Sequence, residues 1–202
     1  MDFTLKTYRQ LLEELIAQNY TFQTYADFLE RPQTRAIILR HDVEARYPNA
    51  MEFARIQQEL NIRGTYYFRF LPDHFDTVII RDISAMGHEI GYHYDDLSYC
   101  KGNYVNAIRR FEKNLATLRE IADVKTICME GAPLSKWDNR ELWGRGDKEI
   151  RRQGDEETRR WGDKEMRGSG EAGKRGKRKA WGHGGMGAWR SFRSHFALHL
   201  SL

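Results

Sequence analysis

At 202 residues the chain is long enough for one domain with a proper core, and for two only if both are small. Its formal net charge of +4 is local: from Gly144 onward fifteen Lys and Arg face eight Asp and Glu, whereas eighteen face twenty-one before it. The basic balance therefore belongs to the tail and makes no case for nucleic-acid binding, while two distant cysteines, no apolar leader and no bilayer-length apolar run point to a reduced, cytoplasmic chain with no membrane partner.

Leu5, Tyr8, Leu11, Leu12, Leu15 and Ile16 recur at helical spacing, so an amphipathic helix is expected from Thr4, which can cap it, to about Asn19. A shorter helix from about Tyr25 to Glu30 ends at Pro32. Ala36 to Leu39 is wholly apolar, as a strand buried on both faces should be, and runs into His41, Asp42, Val43 and Glu44. Pro48 opens a second long helix with Ala50, Phe53, Ala54, Ile56 and Leu60 facing inward, and Gly64 closes it. Thr65 to Phe70 is a β-branched and aromatic strand, and Arg69 inside it is either paired with a carboxylate or reaching a cleft.

Val78 to Met86 reads as a helix closed by Gly87. The stretch Gly87 to Asp96 then puts two histidines and three carboxylates into ten residues. Ile90, Tyr92 and Tyr94 alternate with polar or small neighbours, so a short strand is expected, with His93, Asp95 and Asp96 at its far end. A lone histidine beside a strand is ordinarily structural, and His88 is read that way. Two histidine-carboxylate clusters at the ends of two strands are better explained as a site, since the C-terminal tips of parallel neighbours converge. Tyr104 to about Ile121 is a long helix, and Val124 to Met129 a fourth strand ending in Glu130-Gly131-Ala132-Pro133. Alternating strands and helices imply an α/β fold of about four parallel strands with right-handed crossovers, leaving open whether the sheet is flat or barrel-like.

Four motifs in order, Leu39-Arg40-His41-Asp42-Val43-Glu44, Gly64-Thr65-Tyr66-Tyr67-Phe68-Arg69, Gly87-His88-Glu89-Ile90-Gly91-Tyr92-His93-Tyr94 and Gly131-Ala132-Pro133-Leu134-Ser135-Lys136-Trp137-Asp138-Asn139, resemble the polysaccharide-deacetylase-like (NodB-homology) family over residues 1 to 143. The resemblance implies a partial, distorted (β/α) barrel with one divalent metal ion, expected to be zinc, at its C-terminal face. It also implies hydrolysis of acetyl groups from N-acetylated carbohydrate. Carried over by position, Asp42 would be the base, Glu44 or Asp42 a metal ligand together with His93, and Arg69, Glu130 and Pro133 the lining of the substrate cleft. Three positions depart from the family pattern. Leu97 stands where a second histidine is usual, so that Asp95 or Asp96 would have to serve as ligand; Glu44 replaces an aspartate; and Glu130 stands where relatives often carry histidine. The competing class is a non-catalytic remnant or carbohydrate-binding module that keeps the cleft without the reaction.

From Gly146 the sequence repeats every eight residues, each unit opening on glycine, and a basic, glycine-rich run follows. That period fits neither a heptad nor an eleven-residue repeat, so residues 144–202 are expected to form a disordered, low-complexity tail. The repeat suggests a tandem DNA insertion that interrupts the ancestral frame after about Trp143 and removes the later strands. Such a truncation would leave an apolar sheet edge open to self-association. A tether to nucleic acid or an anionic surface through Trp161, Trp181 and Trp189 is the lesser reading of the tail.

Overall fold

The computed structural model of the chain describes residues 4–71, 75–131 and 135–143, together with the backbone of one strand at 197–201. The expected order of elements is present. Helix α1 (Leu5–Ala17) is capped by the Thr4 hydroxyl, which accepts from the Thr7 amide. Strand β1 (Thr21–Phe22) leads to α2 (Tyr25–Glu30), which starts in a capping box between Thr24 and Asp27. Then come β2 (Ala36–Val43), α3 (Tyr47–Glu59), β3 (Thr65–Arg69), α4 (Thr77–Ala85), β4 (Glu89–Tyr94), α5 (Asp96–Tyr99), α6 (Tyr104–Arg119) and β5 (Thr126–Met129). A 3-10 turn at Asn139–Glu141 follows, and Ala197–Ser201 forms β6.

All strand pairs are parallel. The order β1-β2-β3-β4-β5 is that of the sequence, with β6 also beside β2, and the sheet is not closed. A sheet that always grows in one direction through right-handed crossovers returns its helices to the same face. The core obeys this rule. Tyr66, Phe68, Ile90, Tyr92 and Tyr94 pack against Ala50, Met51 and Ala54 of α3, Ile80 and Ile83 of α4, and Ala107, Ile108, Phe111 and Leu118 of α6. Ile37 and Leu39 pack with Tyr8 and Leu12 of α1 and Ile56 of α3. The arrangement is an open, all-parallel α/β sheet, compatible with a partial (β/α) fold.

The alternating pleat then sends the intervening residues to the other, inner face. Register aligns Asp42 with Tyr67 and Gly91, and Arg69 with His93 and Cys128. This inner face is polar. Near the N-terminal ends of the strands Glu89 accepts from Thr65 Oγ1 at 2.8 Å and from the Ala26 amide at 3.0 Å, and the Thr126 hydroxyl also donates to it. Three donors on one carboxylate tie α2 to β3, β4 and β5 and satisfy a group that would otherwise be costly to enclose.

Two expectations need correction. The sheet has six strands rather than about four, because β1 and β6 add to the expected set. The tail also contributes β6, which pairs Ile38 to Asp42 with Ala197 to Ser201. The remainder of the tail, with its eight-residue repeat and tryptophans, lies outside the described residues, as does Pro133. Among the described residues no strand flanks β5 on its outer side, and no helix is long and apolar enough to cross a membrane.

Candidate metal centre

Strand β2 runs further than its apolar stretch, so His41 and Asp42 lie within the strand and face opposite ways. His41 points to the helix layer, where it stacks on Tyr66 with centroids 4.4 Å apart and meets Gln57 Nε2 at 2.6 Å. It is a packing residue. His88 is also structural: its Nδ1 accepts from the Gly64 amide at 3.1 Å and its Nε2 lies 3.0 Å from the Ala54 carbonyl.

Asp42 points to the inner face, as do His93 and Cys128. One donor atom from each of these three lies within 4.8 Å of the others. His93 Nε2 is 3.8 Å from Asp42 Oδ2 and 2.8 Å from Glu130 Oε2. Burial above all pushes the His93 pKa down, with Asp42 pulling it up and Arg40 pushing it down. The ring is therefore neutral at pH 7 and offers a nitrogen lone pair. Burial pushes the Cys128 thiol up to about 11, and the Arg40 guanidinium opposes that rise. Without a metal the sulfur is a thiol and a poor nucleophile.

These residues fit a divalent ion. Glu130 Oε2 is buried and, although close to His93, accepts no hydrogen bond of acceptable geometry. A buried carboxylate oxygen in that state lacks a cation or proton. Donors around a tetrahedral ion at about 2.1 Å stand roughly 3.4 Å apart, and the 3.8 Å between His93 Nε2 and Asp42 Oδ2 lies close to that spacing. Neutral imidazole, carboxylate and sulfur together suit zinc and its borderline-soft relatives better than magnesium or calcium.

The other predicted ligands are elsewhere. Glu44 has a side chain 45% exposed and stands 3.6 Å from Arg69 Nη1. Asp96 is fully buried on the helix side, where Tyr92 OH donates to it at 2.8 Å and Arg110 Nη1 at 2.6 Å. Its neighbour Asp95 accepts from Arg69 Nη2 at 2.6 Å and from Arg110 Nη1 at 3.0 Å. Arg69 is therefore paired, and the ladder Glu44, Arg69, Asp95, Arg110, Asp96 braces the strand tips beside the cluster. Glu130 touches the centre through His93, and its carbonyl also accepts from Asn139 Nδ2 at 3.3 Å.

Cys128 was missed by the sequence reading. A single cysteine in the apolar run Ile127-Cys128-Met129 looks like core, and only the register with His93 reveals its direction. Beyond Glu130 a cavity of about 480 Å³ opens between Met129 and Arg140, with Trp137 in its wall.

The fold and the site together define an α/β chain with a candidate metal centre at the C-terminal tips of β2, β4 and β5. Comparison of the chain with protein-family models, with curated proteins and with solved structures gives no match.

Proposed function

We propose that the chain is a metal-dependent hydrolase of the polysaccharide-deacetylase type, removing acetyl groups from N-acetylated carbohydrate, with the ion held by Asp42, His93 and Cys128. The observation that carries the reading is the meeting of those three side chains, with Glu130 beside them, at the strand tips where parallel barrels hold their chemistry. When bound, the ion supplies Lewis acidity, polarising the acetyl carbonyl and making water acidic enough to attack.

The protein's own groups would divide the remaining tasks. Both Asp42 oxygens accept from Arg40, at 2.9 and 2.7 Å. With both oxygens so held, Asp42 is poorly placed to take a proton from water, and the proton-accepting role passes to Glu130, whose Oε2 accepts no hydrogen bond. Trp137 lines the adjoining cavity, where the apolar side of a sugar would meet it. Arg69, tied to Asp95, positions the strand tip carrying His93.

The test is acetate release from N-acetylated oligosaccharides by the full chain supplied with zinc or cobalt. Glu130→Gln and Asp42→Asn should each abolish it while leaving the protein folded. The hold of Arg40 on Asp42 favours a second reading, a carbohydrate-binding module without turnover. That reading predicts oligosaccharide binding with neither metal uptake nor acetate release.

A further inference from the structure

Arg40 and Asp42 are two residues apart on β2, so their side chains share the inner face. The guanidinium grips the carboxylate as a fork, with Nε on Oδ1 at 2.9 Å and Nη2 on Oδ2 at 2.7 Å. Such bidentate, charge-assisted pairs are the strong ones. The Cys128 thiol lies within the electrostatic reach of the same guanidinium. One cation thus already holds the carboxylate that an ion at His93 and Cys128 would need. We propose that Arg40 is the built-in counter-ion of this centre and competes with the metal for Asp42, so that metal uptake requires the guanidinium to withdraw.

The inference rests on the reading of Asp42, His93 and Cys128 as metal donors. A dication entering the cluster meets a like charge at the carboxylate it needs, and both cannot take the same oxygen lone pairs. Arg40 has somewhere to go. Its Cζ lies 5.5 Å from the centre of the Tyr67 ring, and that ring is anchored by its hydroxyl, which donates to Thr126 Oγ1 at 3.0 Å. An arginine over a tyrosine face retains part of its stabilisation as a cation–π contact. The Arg40 side chain is also 30% exposed, so its charged head reaches water without unfolding the sheet. His93 and Cys128 are not held by the fork, which leaves two donors ready before Asp42 is released.

The experiment is a titration of the full chain with Co²⁺ and Zn²⁺, comparing wild type, Arg40→Gln and Arg40→Lys, each checked for folding by circular dichroism. Removing the competitor should tighten Co²⁺ binding about 10- to 100-fold in Arg40→Gln, the scale on which groups around a metal centre act. Arg40→Lys keeps the charge but loses the fork, and should fall between the two. A sulfur-to-cobalt charge-transfer band in the near ultraviolet, lost in Cys128→Ser, would place the ion at this centre. If wild type binds with that band and Arg40→Gln binds equally or more weakly, Arg40 orients Asp42 for the metal and the competition idea is overturned, while the metal centre stands. If no variant binds, both fall. Should Arg40→Gln fail to fold, Arg40→Lys decides: tighter binding than wild type supports competition, and equal or weaker binding overturns it.

Discussion

Tyr67 and Gly91 face each other across β3 and β4 with no room for a methyl group between them: a Cβ on Gly91 would overlap Cδ1 and Cε1 of the tyrosine ring. The ring cannot swing aside without breaking the bond from its hydroxyl to Thr126 Oγ1. Gly91 also lies two residues before His93 on the same face, so the absence of its side chain lets the ring form the floor under the candidate centre. Gly91→Ala should destabilise the protein by about 1–3 kcal/mol through overpacking. A lowered urea midpoint would confirm it, whereas an unchanged midpoint would mean that the ring has another place to lie.

Arg110 serves two buried carboxylates at once, Asp95 at 3.0 Å and Asp96 at 2.6 Å. Arg110→Ala should cost about 3–5 kcal/mol, as breaking one side of a buried pair does. The loss should exceed that of Arg69→Ala, since Asp95 then keeps one partner. Urea denaturation of the two variants side by side measures the difference.

Burial raises the Asp96 carboxyl from the ordinary 3.8 to about 6, against the pull of Arg110 and Tyr92. The native state therefore holds this proton more tightly than the unfolded chain. Its contribution to stability is complete below about pH 4 and is lost as the pH rises through about 6. Asp96→Asn has no such proton, so the stability difference between wild type and variant should shift against wild type by about 3 kcal/mol between pH 4 and pH 7. Denaturation curves at both pH values check the sign, and a constant difference would show that the carboxyl titrates normally.

Metal affinity should separate the predicted ligands from the observed cluster. His93→Ala and Cys128→Ser should weaken Co²⁺ binding by at least about 100-fold, each removing a donor from the centre. Glu44→Ala and Asp96→Asn should leave it unchanged, because neither side chain reaches the cluster. Isothermal titration of the four variants gives the answer, and loss of binding in Glu44→Ala would restore the residue order implied by the family resemblance.

Removing the half-buried acceptor at the other end of the sheet tests the fold itself. Glu89→Ala would strand the Thr65 and Thr126 hydroxyls and the Ala26 amide, each a donor worth about 1–3 kcal/mol when left unpaired in the interior. Hydrogen exchange should show the first turn of α2 losing protection before the centre of β4 does.

The elements of this fold were legible because each carries a pattern that local physics must obey. Leu5 to Ile16 and Val105 to Leu118 show helical spacing, and Thr65 to Phe70 is rich in strand formers, so these segments fall where expected. The clusters at Asp42 and His93 were likewise visible. What the chain could not show was which of several adjacent acids faces which side. Asp95 and Asp96 follow the strand in succession, yet their partners are settled by Arg69 on β3 and Arg110 on α6, contacts of long sequence separation. Cys128 was hidden for the same reason. β6 escaped notice because five residues at the end of a glycine-rich basic tail carry little pattern of their own, and only the free flank of β2 gives them a partner.

The one-directional winding has a consequence for how this chain can change. Hydrocarbon that drives folding and the donors of the candidate centre occupy alternate positions of the same strands, with α1, α3, α4 and α6 packed on the hydrocarbon side. Selection for a new ion or a new reactant can act at Arg40, Tyr67 and Cys128 while every helix keeps its seat.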